Sequence, residues 1–186
     1  MLIRHDKLEI QDQFIFNKAI SIAILKAMQF ISPNFNIKWP NDIYLNNKKL
    51  VGILIENSIK GKYISYSVVG IGVNVNQTQF SEDLQNASSI LNETGLQLDL
   101  LTLLNQIADH IEYFTGHGLT EKKRRKEILN LYNENLFRKD VVAVYEKDSK
   151  NFNGIIRGVD RYGRLMLELE DEDIQLFGNG EITFKI

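Results

Sequence analysis

The stretch "KWPNDIYLNNKKLVGIL", residues 38–54, decides how this chain is read. It opens with a lysine, the single tryptophan and one of only two prolines. Pro40 fixes an extended or turning backbone at Trp39 and sets Asn41 and Asp42 at the mouth of the strand that follows. Asn46-Asn47-Lys48 reads as a hairpin turn, since asparagine tolerates the left-handed conformation. Strands are therefore expected over 37–39, 43–45 and 49–57. A carboxylate at Asp42 can orient a sugar or an amine, or help hold a magnesium ion; the plainer reading is an Asx turn that caps the backbone. Lys49 is a compact charge suited to phosphate or carboxylate; the plainer reading is solvation. In a regular strand Lys49 and Gly52 lie on opposite faces. Both line one site only if the strand twists or bulges there, or if Lys49 reaches around its end.

A second stretch, "VVGIGVNVN" at residues 68–76, lies at the end of a strand expected over 62–74. Side chains alternate along a strand. Ile71, Val73 and Val75 then share a core face, while Gly70, Gly72, Asn74 and Asn76 share the other. Glycines in a strand often mark the close approach of a ligand or another backbone. A flat ligand can lie on such a floor, with Asn74 at its edge; a crowded helix contact or a bulge is the alternative. Earlier in this strand Ile64, Tyr66 and Val68 alternate with Ser65 and Ser67. Taken together, the two stretches suit one anionic, flat ligand with a nucleotide part. Neither a Walker-type nor a Gly-x-Gly-x-x-Gly phosphate loop is present. Gly116-His117-Gly118 follows a helix rather than a strand and is set aside.

The remaining sequence supplies the frame. At 186 residues, 44% hydrophobic and 25% charged, the chain suits one domain with a small appendage. A net charge of −2 gives no strong field for nucleic acid or anionic lipid. The absence of cysteine excludes disulfides and thiolate chemistry, and His5, His110 and His117 are too scattered for a structural zinc site. No apolar run approaches the roughly 18–20 residues of a membrane span, and no signal-peptide core follows Met1; a cytoplasmic location is expected. Residues 1–4 read as the end of a strand. A buried helix is expected over 12–30, closed by Ser32-Pro33-Asn34. A short helix is expected over 88–91. The cleanest helix places Leu100, Leu103, Leu104, Ile107, Ile111 and Phe114 on one stripe, with Asp99 as N-cap and Gly116 and Gly118 at its end. A more charged helix is expected over 120–132, with its basic run 122–126 as a solvated face. Five short strands, over 141–145, 152–159, 164–170, 174–177 and 181–184, predict a small all-β barrel.

The residues at 38–56 and 70–74, at this spacing, resemble a biotin protein ligase: Lys-Trp-Pro-Asn-Asp, then Lys-Leu-x-Gly-Ile-Leu, then Gly-x-Gly-x-Asn. The resemblance covers essentially the whole chain. It implies an α+β fold, with a mixed β-sheet flanked by helices as in class II aminoacyl-tRNA synthetases. That catalytic domain is expected over 1–136, and an SH3-like β-barrel over 137–186. It implies ATP-dependent activation of biotin with Mg²⁺, giving biotinyl-AMP, then transfer to a lysine of a biotin carboxyl carrier protein. Lys49 matches the family's catalytic lysine and also contacts biotin. Gly52 and Leu54 match positions on the biotin side. Asp42, Gly70, Gly72, Val73 and Asn74 match adenylate positions, with Asp42 also the candidate magnesium ligand. Lys38, Trp39, Pro40 and Asn41 match support for this loop. The family's glycine- and arginine-rich loop is not in this sequence, so the chain is expected to begin inside the catalytic domain. The helix-turn-helix of some members is not there either, and no DNA partner is expected. A homodimer stays open. A lipoate–protein ligase and an inactive adenylate-binding module are the alternatives.

Overall fold

The computed structural model describes residues 1–116, 119 and 121–185. Its first sheet contains β1 (Leu2–Glu9), β2 (Phe35–Lys38), β3 (Asp42–Leu45), β4 (Lys48–Lys60) and β5 (Tyr63–Val73), in the order β1-β5-β4-β3-β2. Every pair of these strands is antiparallel. This corrects the expected mixed sheet. Tight connections at Asn46 and Gly61, both at positive φ (55° and 61°), return the chain at once and force antiparallel neighbours. Among the described residues parallel pairing is confined to isolated bridges, Ile37 to Leu136, Lys49 to Ala87 and Lys139 to Ile156.

β1 is longer than its apolar start suggests. Arg4, Asp6 and Lys7 mask its pattern, and the pairing with β5 shifts register between Arg4 and Leu8. Leu8 is buried after the shift. The alternation in β5 is displaced as well: Ser67 is fully buried, while Tyr66 and Val68 are exposed. Ser67 Oγ donates to Asn57 Oδ1 (2.6 Å) and lies 2.8 Å from His5 Nε2, so the buried hydroxyl is satisfied.

The helix α1 (Gln13–Gln29) covers one face of this sheet. Ile20, Ile22, Ala23, Ile24 and Leu25 are all fully buried, so the middle of α1 is enclosed on every side. That pattern belongs to a helix packed on two sides. It touches β2 and β3 on one side, and α3 (Leu100–Thr115) and α4 (Lys122–Glu134) on the other. The shorter α2 (Ile90–Thr94) is capped by Ser89. At the start of α3 the Asp99 carboxylate accepts the Thr102 N–H at 2.8 Å, as its N-cap position predicts. Gly116 ends α3, where a Cβ would lie 2.7 Å from the Glu112 carbonyl oxygen. Gly118 and Thr120, which the sequence placed at the helix boundaries, lie outside the described residues, as does His117.

The second sheet contains β6 (Val142–Lys147), β7 (Lys150–Val159), β8 (Leu165–Glu168), β9 (Ile174–Phe177) and β10 (Thr183–Phe184), in the order β10-β6-β7-β8-β9. Phe184 on one edge packs against Tyr145, with centroids 5.1 Å apart. Phe177 on the other edge stacks on Phe152 at 5.9 Å, and Tyr145 meets Phe152 at 5.8 Å. One aromatic cluster thus joins both edges, and the sheet curls around it as an SH3-like unit. Bonds from α1 and from the loop between β2 and β3 reach the turn after β7. Trp39 Nε1 donates to the Gly163 carbonyl (2.9 Å), and Lys18 Nζ donates to that of Asp160 (2.8 Å).

Candidate functional site

A bulge in β4 resolves the conflict between Lys49 and Gly52. Ile43 pairs with Val51 but Tyr44 pairs with Lys49, so Leu50 is the extra residue. Leu50 turns into the core at 1% exposure. Lys49 is thereby rotated onto the face of Tyr44, Asp42 and Gly52. Contacts agree with the register: Lys49 Nζ lies 2.7 Å from Asp42 Oδ2. A Cβ on Gly52 would meet Lys49 Cε at 3.4 Å. The backbone of Lys49 is clamped from outside the sheet. Its N–H donates to Asn86 O (2.7 Å), and its carbonyl accepts from Ser88 (3.2 Å).

The same face continues as the glycine floor. Gly52 pairs with Gly72, and Leu54 with Gly70. Leu54, Gly70 and Gly72 are exposed, and nothing lies within 4 Å of a Cβ built on Gly72. The opposite face carries Val51, Ile53, Val69, Ile71 and Val73, in or against the core. Val73 pairs with Val51, so its side chain leaves the site and it can offer only backbone there. Asn74 lies just past β5, where its N–H donates to Leu50 O (2.9 Å) and its carbonyl accepts from Ile90 (3.0 Å). Asn76 does not share the floor. Its amide exchanges bonds with the Leu98 backbone at 2.9 and 3.1 Å, a structural task.

The loop between β2 and β3 is held at each residue. Trp39 is buried on Gly163, as above, and Tyr132 Oη donates to Pro40 O (2.6 Å). Asn41 Nδ2 donates to Ile53 O (2.8 Å), beyond the point where β3 begins to cover β4. Lys38 pairs with Asp42 in register, so it lies on the site face. Its ammonium sits over the rings of Phe184 (4.7 Å) and Tyr44 (5.5 Å). Burial lowers its pKa most; Asp42 opposes this, while Lys49 and Arg138 add to it. Burial, with Asp42 beside it, pushes the Tyr44 phenol up to about 12. The site thus gathers Lys38 and Lys49 beside one carboxylate, with Arg138 close enough to act on Lys38. Arg138, Phe184 and the segment 86–88 were missed in the sequence, because only the fold brings them here.

In the free protein Asp42 neutralises Lys49. The Lys49 side chain is 42% exposed. A pair this open contributes about 0–1 kcal/mol, so a ligand phosphate or carboxylate can replace Asp42 at little cost. Among the described residues no three metal-ligating side chains cluster. Asp42 alone fits a magnesium ion of the kind held by one carboxylate and substrate phosphates.

Residues 2–74 match the Biotin/lipoate A/B protein ligase family. The bifunctional ligase/repressor BirA of Escherichia coli is 34% identical over 154 residues, covering 80% of this chain and 46% of that protein. The chain is similar to this family. Another relative, the biotin–[acetyl-CoA-carboxylase] ligase of Paracoccus denitrificans, is 28% identical over 135 residues, covering 70% of this chain and 55% of that protein. The fold agrees: a biotin protein ligase from Aquifex aeolicus in complex with biotin and ATP superposes with a TM-score of 0.76. It is 22% identical, over 95% of this chain and 73% of that one. The chain spans about half the length of the curated relatives it matches. The lysine, the carboxylate and the glycine floor all fall within the family match.

Proposed function

We propose that the chain is a biotin–protein ligase, or that ligase's site-bearing portion. In the first reaction a biotin carboxylate oxygen bonds to the α-phosphorus of ATP, and pyrophosphate leaves. In the second, a lysine amine of a biotin carboxyl carrier protein attacks the acyl carbon, and AMP leaves. The observation that carries this reading is the bulge at Leu50, which aims Lys49 over Gly52 at the edge of the bare floor. Two anions must meet in the first step. A fixed ammonium facing the place where they react lowers that barrier.

Each residue then has a task. Lys49 exchanges Asp42 for ligand oxygen. Gly52 and Leu54 lie beneath biotin, and Gly70, Gly72 and the Val73 backbone lie beneath the adenylate. Asn74 meets the adenine edge. Asp42, released, would hold magnesium with the nucleotide's phosphates; when bound, the ion offsets phosphate charge. Lys38, Trp39, Pro40 and Asn41 keep the loop in place. We further propose that residues 1–136 and 137–186 are separate domains, that the protein works in the cytoplasm, and that it can form a homodimer. Biotin is preferred to lipoate because the named relatives above are biotin ligases or the BirA bifunctional ligase.

Biotin-dependent pyrophosphate exchange tests the reading. Lys49→Ala is expected to lose about 10²–10³-fold in rate. Undiminished exchange in that variant, or faster exchange with lipoate than with biotin, would overturn it. Exchange that is absent while a non-hydrolysable biotinyl-AMP analogue still binds would make the chain an adenylate-binding module instead.

A further inference from the structure

The basic run on α4 is not the evenly solvated face that its composition suggests. Lys122, Lys123 and Lys126 are exposed, but Arg125 turns inward. Its Nη1 and Nη2 donate to the two carboxylate oxygens of Asp12, at 2.9 and 2.5 Å. Its Nε is buried with no hydrogen-bond partner. Such an unsatisfied donor is rare in a folded protein and calls for an explanation.

Arg125 lines a cleft of about 270 Å³ between α1, α4 and the turn after β7; Gln11, Asp12, Lys18, Arg161 and Tyr162 share the lining. Lys18 is 3% exposed, and its ammonium donates to one oxygen, Asp160 O. An ammonium has three N–H groups, so donors are left over. Among the described residues the Arg161 guanidinium bonds only to the Tyr162 hydroxyl, and it lies over that ring. Three cations therefore face one carboxylate. Including the neighbouring Asp160–Arg164 pair (2.7 Å) leaves the excess of two positive charges unchanged.

The geometry points to this cleft as a second binding site, separate from Lys49, for the phosphate group of a small molecule. A phosphate monoester carries about −1.5 to −2 charges at pH 7, which matches the excess. Guanidinium groups suit its oxygens better than they suit a single point charge. The volume leaves room for an attached organic part. Burial pulls the Lys18 ammonium down to about 8, and a dianion beside it would reverse that shift. Lys18 and Tyr162 also line the adjoining cleft around Trp39, Pro40 and Asn41. Occupancy would therefore bear on the turn whose Gly163 carbonyl holds Trp39. As the single tryptophan, Trp39 reports it.

Calorimetric titration with inorganic phosphate at constant ionic strength tests the site, with Trp39 emission followed in parallel. Saturable one-to-one heat is expected, with a matching change in emission. Arg161→Glu alters an exposed residue and keeps the fold, checked by its melting temperature; it should weaken phosphate by about tenfold or more. Lys49→Ala should leave the binding intact. Three results would overturn the assignment: no saturable heat in the parent protein, heat lost in Lys49→Ala but kept in Arg161→Glu, or acetate that displaces phosphate at equal concentration.

Discussion

The two antiparallel sheets treat their faces in opposite ways. The second sheet fills its inner face with Tyr145, Phe152, Phe177 and Phe184 and curls around them. The first sheet buries one face under α1 and leaves part of the other without side chains, with glycine opposite glycine at 52 and 72. A sheet face gains stability from what it covers. The bare glycines gain none, so this part of the first sheet depends on the buried α1 behind it. Its glycine floor is open to a flat ligand, whereas the second sheet's cleft of about 760 Å³ is lined by side chains, Phe152, Leu169 and Phe177 among them.

The contrast predicts unequal responses to substitution. Phe177→Ala removes a buried ring from the closed cluster and should cost about 3–5 kcal/mol in urea-induced unfolding. A cost below about 1 kcal/mol would mean that the second sheet does not rest on its aromatics. The seam between the sheets should show a pH signature. Lys18 titrates at about 8 when folded, against an ordinary value of 10.5. Between these values the unfolded chain binds more protons, so stability should rise with pH across this window. The penalty, fully present below pH 8, is roughly 3 kcal/mol at most. Lys18→Met should flatten the rise, as compared by urea titrations at pH 7.5 and 10; an unchanged slope would remove Lys18 as its source.

Gly72→Val probes the bare face. Nothing lies near its Cβ, and valine suits a strand, so the melting temperature should hold or rise. Binding of a biotinyl-AMP analogue should weaken about tenfold or more. Binding at parental strength would show that the floor is not the ligand's bed. The smallest effect is expected at Tyr145, whose hydroxyl is buried with no partner. Tyr145→Phe should be neutral or stabilise by up to about 1 kcal/mol in thermal melts. A loss of stability would reveal a partner for that hydroxyl.

Much of this was legible before folding. The helical stripe from Leu100 to Phe114, the Asp99 cap and the five C-terminal strands follow from periodicity and turn residues, which act locally. Asp42, Lys49 and the glycines were legible because rigid and bare residues are costly where nothing uses them. Other features were hidden. Strand β1 was cut short because its outward charges hide the alternation once the register shifts. The inward turn of Arg125 was missed because its partner, Asp12, is 113 residues away. The glycine face was extended to Asn76 on simple alternation, but β5 ends at Val73, and Leu98 takes the Asn76 side chain.

The sequence by itself determined most of the elements that form, and it supplied the lysine, the carboxylate and the glycines of the candidate site. Propensity, patterning and caps work between near neighbours, and the chain carries them without help. Whether Lys49 and Gly52 share a face was beyond that reach. In a regular strand they do not, and only the pairing of β3 with β4 made Leu50 the extra residue. The tertiary structure also brought Gly163 to Trp39 and Arg138 to Lys38. Those contacts join residues that local rules cannot relate, so chemistry written in the first third of the chain is held in place by the last.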